Sequence, residues 1–276
     1  MLKLVMIIVS FVNLKLSADT LKQGDMLLIG MMTDEQVITS VEYMGQPVPL
    51  VNINSCLTAI IGTSYNTPPG HKSLVIRFSD GWNEKKVIDT SILVVKREFR
   101  KSYITFPESK QSAIDTSNER RKEEEFKIVS EAISLPSVGF YGIAPIEMPC
   151  KKTISGTYGD ERWSNGKKLW NHAGVDFAVV EGTPIIAPCS GAIIMARDTF
   201  IRQGTFVILD HGAGLKSVYM HMSKRVVDEG MVAKAGDTLG FVGATGLATG
   251  PHLHMSLYVR GAPVDPLFWL ERKEIF

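Results

Sequence analysis

Cysteine is scarce in this chain of 276 residues, which holds only Cys56, Cys150 and Cys189. None of the three has the paired spacing of a zinc knuckle, and three thiols are too few for a disulfide-stapled scaffold. At most one internal disulfide can form, and Cys150 with Cys189, both in the C-terminal part, is the expected pair. Long apolar runs are missing too: the stretch Leu4 to Val12 is too short to span a bilayer as a helix, and nothing after it is apolar enough. Charge of one sign is absent, since 30 Lys and Arg face 29 Asp and Glu for a net charge of +1. With no basic patch interleaved with aromatics, the chain is not built for nucleic acid. The same balance argues against simple electrostatic capture by an anionic polymer.

What is present begins with Lys3, the apolar run Leu4 to Val12, and Leu16-Ser17-Ala18. This has the layout of an export leader over residues 1–18. A buried N-terminal strand is the structural alternative. Removing residues 1–18 takes away Lys3 and Lys15, so the net charge of +1 falls by two to −1. From residue 19 to 105, short β-rich runs recur at Val37 to Tyr43, Leu57 to Gly62, Leu74 to Phe78 and Ile92 to Val95. Turn signals at Pro68-Pro69-Gly70 and Asp80-Gly81 separate them, which predicts a small β-sandwich. Residues 106–143 read as a linker with a charged helix over Ser117 to Ser134, where Phe126, Val129 and Ile133 make the packing stripe. Acids and bases alternate along that helix, so its charges are solvated. Residues 144–276 carry further strand-like stretches between glycine turns and no long helical pattern, so a mainly antiparallel β domain is expected.

Histidine is sparse as well, and four of the six sit in three short pieces: His172-Ala173-Gly174-Val175-Asp176, Tyr219-Met220-His221 and His252-Leu253-His254. Imidazole and carboxylate are the usual zinc ligands where no thiolate serves. Two residues apart on a strand, His252 and His254 share a face with Cα atoms roughly 6.6 Å apart. One can bind a metal while the other stands beside it. His172 and Asp176 are about 13 Å apart if extended, too far to share an ion, so a bend is required, and Gly174 is its expected place. Three ligands are predicted, His172, Asp176 and His254, with a fourth position open, the mark of a catalytic site. His211, in Asp-His-Gly, is expected to support a turn, and His71 to lie in a loop. The run Gly240 to Gly246 lacks the Lys-Ser/Thr ending of a phosphate loop.

His-x-Gly-x-Asp, Tyr-x-His and Gly250-Pro251-His252-Leu253-His254, with Ser155-Gly156-Thr157-Tyr158-Gly159, Gly182-Thr183-Pro184 and Asp210-His211-Gly212, resemble the lysostaphin-type (LytM-like) zinc metallopeptidases over roughly Ile154 to Pro266. The resemblance implies a β-fold peptidase with one Zn2+ per chain, held by His172, Asp176 and His254. It implies His252 as general base and His221 as a second catalytic histidine that donates a hydrogen bond to the developing oxyanion. With export, it points to peptidoglycan stem peptides as substrate and a periplasmic or cell-envelope location. D,D-endopeptidase cleavage is expected first, with D,D-carboxypeptidase action on the same stems as the alternative. Two other readings are a non-enzymatic activator of wall hydrolases and a protein that only stores metal or uses it structurally. The preceding β domain, with no targeting motif to explain it, suggests a regulatory partner or an intramolecular restraint on the site.

Overall fold

Alternating apolar and polar residues dominate both parts of the chain, and both fold as β-structure. The structure, a computed structural model, describes residues 5–9, 12–16, 20–31, 37–53, 56–79, 84–116, 118–144, 147–151 and 153–271. The chain divides into two units, one of residues Met1–Glu98 with Glu274–Phe276, the other of Phe99–Lys273.

The first unit contains β1 (Val5–Val9), β2 (Val12–Leu16), β3 (Thr20–Lys22), β4 (Met26–Met31) and β5 (Val37–Tyr43). It continues with β6 (Gln46–Val48), β7 (Leu50–Ile53), β8 (Cys56–Gly62), β9 (Gly70–Ser79) and β10 (Glu84–Val95). They pair as two five-stranded sheets, β1-β2-β4-β8-β7 and β3-β10-β9-β5-β6. Along β9, Leu74, Ile76 and Phe78 are buried while their neighbours are partly exposed, the period of two expected of a half-buried strand. These residues share one core with Leu27, Ile29, Ala59 and Ile61 of the other sheet, so the unit is a β-sandwich. His71 lies in β9 and not in a loop; its Nδ1 is 2.8 Å from Ser91 Oγ across the sheet. The stretch read as an export leader is here a hairpin, β1 against β2, which continues onto β4. Its β-branched residues suit an edge hairpin as well as a leader. Ser17-Ala18 and Asp80-Gly81 lie outside the described residues.

The second unit opens with β11 (Lys101–Tyr103), a 3-10 turn at Glu108–Ala113, and α1 (Glu119–Ser134). Strands β12 (Ile154–Gly156), β13 (Glu161–Ser164), β14 (Lys167–Asn171), β15 (Gly174–Phe177), β16 (Pro184–Ile186) and β17 (Gly191–Phe200) follow. Then come β18 (Gly204–Gly212), β19 (Leu215–Arg225), β20 (Val232–Ala233), β21 (Thr238–Val242), β22 (Leu253–Val259), β23 (Ala262–Val264) and α2 (Pro266–Leu270). The main sheet runs β12-β15-β22-β19-β18-β17-β20, and β11-β13-β14 forms a small second sheet. Helix α1 packs Val129, Ala132 and Ile133 against Met195, Phe206, Ile208 and Val218 of the main sheet. Phe126, expected in that stripe, is instead 64% exposed, because the buried face of the helix runs through Lys122, Glu125, Val129, Ala132 and Ile133 and leaves Phe126 beside it. The buried Lys216 ammonium donates to the carbonyls of Ile133 and Leu135 at the C-terminal end of α1.

Cys56, Cys150 and Cys189 are all free thiols, so the expected Cys150–Cys189 bridge is not formed. Cys56 and Cys189 are buried, and burial pushes the Cys150 and Cys189 thiols up to about 12 and about 11. Among the described residues, no helix is long and apolar enough to cross a membrane.

Candidate metal centre

Strand pairing brings the separated pieces together. In the antiparallel β15–β22 pair Asp176 lies opposite His254, and on the other flank of β22 Met220 of β19 faces the same residue. His252 precedes β22 and bridges to Gly243. His172 sits between β14 and β15, its amide donating to Asp160 O at 2.8 Å and its carbonyl accepting from Gly159 N at 2.7 Å. The bend therefore falls at His172–Ala173 and not at Gly174, which is already in β15. Gly174 serves close approach instead: a Cβ there would lie 2.2 Å from Met255 O of the neighbouring strand.

His221 is aimed by a bulge. Thr205 pairs with Met222 and Val207 with Tyr219, so Met220 and His221 together oppose the single residue Phe206. His221 takes φ 64, a left-handed conformation that β-carbon-bearing residues adopt at a cost of order 1 kcal/mol. Its amide donates to Gln203 O at 3.0 Å, which holds the bulge.

Backbone carbonyls set the tautomers, because a carbonyl can only accept. His172 Nδ1 donates to Thr157 O at 2.8 Å, His221 Nδ1 to Thr245 O at 2.9 Å, and His252 Nδ1 to Gly250 O at 2.9 Å. Each neutral ring thus carries its lone pair on Nε2. His254 uses the other atom: its Nε2 meets Ser256 Oγ at 2.7 Å, turning Nδ1 to the centre. His172 Nε2 and His254 Nδ1 lie 3.0 and 2.9 Å from Asp176 Oδ1 and 2.9 Å from each other. Ligands about 2.1 Å from a tetrahedral zinc stand ~3.4 Å apart, so the donor set has the scale of a zinc site. With His254 donating to Ser256, three lone-pair atoms converge with no proton between them, a repulsive arrangement that a cation resolves.

Electrostatics favours the unprotonated forms of Asp176 and His254. Burial alone raises the Asp176 carboxyl, but His172 and His254 hold it well below the usual carboxylate range. Burial pushes His254 down to about 4 and His221 well below its ordinary value, with neighbouring histidines adding to both. The other Asp176 oxygen, Oδ2, accepts from Arg162 Nη2 at 2.6 Å. Behind His172, Asp160 is buried, yet Arg100 and Thr157 keep it ionised, and this pins the turn that presents Thr157 O.

His221 and His252 complete the cluster, their ring centroids 4.8 Å apart, with His252 Nε2 3.7 Å from Asp176 Oδ1. Because Nδ1–H of His221 is spent on Thr245, a neutral His221 offers a lone pair and no proton. The hydrogen bond expected from it is available only after it has taken up a proton. His211 lies elsewhere, fully buried, between Ser190 O and Ser217 Oγ. A cavity of about 290 Å³ on one side of the cluster is lined by Ile104, Phe106, Trp170, Arg202, Leu247 and Tyr258. A second, of about 360 Å³, is lined by Ser102, Thr105 and Pro251, and shares Ile104, Arg162, Asp176, Thr249 and His252 with the first. The segment Ser102–Phe106 therefore lies along both, and Lys110 beyond it donates to Ala244 O and Gly246 O. Sequence reasoning missed this segment, Arg162 and Arg202, since a lone arginine carries no motif.

The family profile described as Peptidase family M23 matches residues 170–266. A Haemophilus influenzae protein named an uncharacterized metalloprotease is 43% identical over 96 residues, 35% of this chain and 20% of that protein. The Vibrio cholerae peptidoglycan DD-endopeptidase ShyA is 39% identical over 101 residues, 37% of this chain and 23% of the relative. The match thus spans less than a quarter of these curated relatives. A crystal structure from Pseudomonas aeruginosa that carries the M23 peptidase designation is 28% identical, covers 90% of this chain and 94% of that one, and superposes with a TM-score of 0.68.

Proposed function

This chain belongs to peptidase family M23, and on that premise we propose that it is a zinc metalloendopeptidase cutting peptide cross-links of bacterial peptidoglycan. The observation that carries the reading is the convergence of His172 Nε2, Asp176 Oδ1 and His254 Nδ1 within 4.8 Å of one another, beside two further histidines. Those three residues would hold one zinc ion. When bound, it supplies Lewis acidity at the scissile carbonyl and lowers the pKa of the attacking water. His252 takes a proton from that water through Nε2, while its Nδ1–H on Gly250 fixes the ring, and returns it to the leaving amine. His221 presents a second Nε2 lone pair and becomes a hydrogen-bond donor once protonated.

The two cavities form a groove suited to an extended peptide, and the named activity of the Vibrio relative favours D,D-endopeptidase over D,D-carboxypeptidase action. Such a substrate requires export to the periplasm or envelope. A complete ligand set argues against a non-enzymatic activator. The preceding β domain is the expected source of the intramolecular restraint; the segment proposed for it is instead Ser102–Phe106 of the second unit, because it lies along the groove.

The test is metal analysis of the purified chain together with digestion of cross-linked and of monomeric wall fragments. One zinc per chain and conversion of dimers to monomers is expected, with both lost in Asp176→Ala. Trimming of monomeric stems alone selects the carboxypeptidase. Bound zinc with neither product selects the non-enzymatic reading, and a chain that binds no zinc overturns the metal assignment.

A further inference from the structure

Asp176 uses its two oxygens differently. Oδ1 faces the metal-ligating nitrogens, at 3.0 Å from His172 Nε2 and 2.9 Å from His254 Nδ1. Oδ2 accepts from Arg162 Nη2 at 2.6 Å, a charge-assisted bond within a pair whose side chains are only 10% and 14% exposed. Arg162 is held from behind: its Nη1 donates to Ser102 Oγ at 3.2 Å, and its strand β13 is paired on both sides, with β11 and β14. The fold also keeps the space for this pair free. A Cβ at Gly156 would lie 2.3 Å from Asp176 Oδ2 and 2.4 Å from Arg162 Nη2, so any other residue there pushes the two apart.

A carboxylate beside zinc can ligate through one oxygen or through both. If both bind, the position that a catalytic site leaves open is filled by the protein itself. Arginine is suited to preventing this, since its planar fork fixes one carboxylate oxygen in direction as well as in charge. We propose that Arg162 is a positioning residue that restricts Asp176 to one-oxygen ligation and so keeps the fourth coordination position open. This rests on the zinc reading above. Its consequence is that removing Arg162 leaves the metal in place, with one protein ligand too many.

The experiment uses the full chain as wild type, Arg162→Met, Arg162→Lys and Gly156→Ala. Metal content is measured with zinc, and the visible absorption with cobalt in its place, since four-coordinate cobalt absorbs several-fold more strongly than higher-coordinate cobalt. Arg162→Met is expected to keep one metal per chain, to lose cobalt absorption by a factor of about two or more, and to lose about 10- to 100-fold in kcat, the usual scale for groups that orient a ligand. KM should change little. Arg162→Lys keeps a donor and should restore most of the absorption. Gly156→Ala separates the pair without removing charge and should resemble Arg162→Met, which keeps the test available if the methionine variant fails to fold. An unchanged cobalt spectrum in either of those two variants overturns the proposal, as does loss of the metal from Arg162→Met. If the wild type itself binds no metal, the zinc reading fails instead.

Discussion

Acid should destabilise the second unit through His211, a residue with no part in the metal centre. It is fully buried, with Nδ1 donating to Ser190 O at 2.8 Å and Nε2 2.7 Å from Ser217 Oγ. Burial pushes its pKa from 6.5 down to about 4. Between these values the unfolded chain carries a proton that the folded chain excludes, so stability rises with pH across the window and is lost as pH falls. A shift of about 2.5 units corresponds to roughly 3 kcal/mol in all, of which about 2 kcal/mol falls between pH 7 and pH 5. The assay is urea unfolding of the metal-free protein at several pH values, wild type against His211→Asn. The asparagine amide keeps a donor for Ser190 but does not titrate. The variant should be weaker at pH 7, by about 1–3 kcal/mol for the unpaired Ser217 and lost packing. Its deficit should shrink by about 2 kcal/mol toward pH 5. His254, also pushed down to about 4, acts equally in both proteins and cancels in the difference. A deficit that stays constant from pH 7 to pH 5 refutes the assignment of His211 as a neutral, proton-excluding core residue.

Three further outcomes follow from the same structure. His252→Ala and His221→Ala should each retain zinc and lose about 10²- to 10⁴-fold in turnover, with wild-type activity falling in acid. Metal loss from either variant would make that residue a ligand, and a flat pH profile down to about 5 would exclude neutral imidazole as base. Lys216→Met should destabilise by about 2 kcal/mol in urea, because the carbonyls of Ile133 and Leu135 lose a buried cationic donor at the end of α1. A change under about 0.5 kcal/mol would mean that its desolvation already offsets those bonds. Lys110→Ala frees the segment bonded to Ala244 and Gly246, and if that segment restrains the site, hydrolysis should rise about 5-fold at equal zinc content, the equivalent of about 1 kcal/mol. Equal rates would remove the restraint.

Strands were legible where one face is buried and the other is not. Leu74, Ile76 and Phe78 announce β9 by period alone, and Val37 to Tyr43 coincides with β5. Readings that needed the tertiary context failed. Phe126 fits a helical stripe by spacing, yet the face of α1 turned to the main sheet runs through Glu125, Val129, Ala132 and Ile133 and passes Phe126 by. Gly174 reads as a bend because glycine tolerates bends, yet the constraint is the carbonyl of Met255 on a strand about 80 residues further along the chain. The leader and the β1–β2 hairpin draw on the same apolar residues, and composition cannot separate them.

At the metal centre the same division appears within a few ångströms. Histidine is rare enough here, with six in the chain, that its spacing, together with one aspartate four residues from His172, singled out the five residues the sheet brings together. What orients them was hidden, because it is mostly backbone: Thr157, Thr245 and Gly250 act through carbonyls that any residue would supply. Those carbonyls nevertheless decide the chemistry. By taking Nδ1–H from both His221 and His252, they leave two proton acceptors in the resting site and no neutral imidazole donor. On the proposed mechanism, one histidine must be protonated before it can donate to an oxyanion, and the attacking water is one source of that proton. Base catalysis and oxyanion stabilisation would then be successive uses of one proton, an ordering that the Tyr-x-His and His-x-His patterns do not contain.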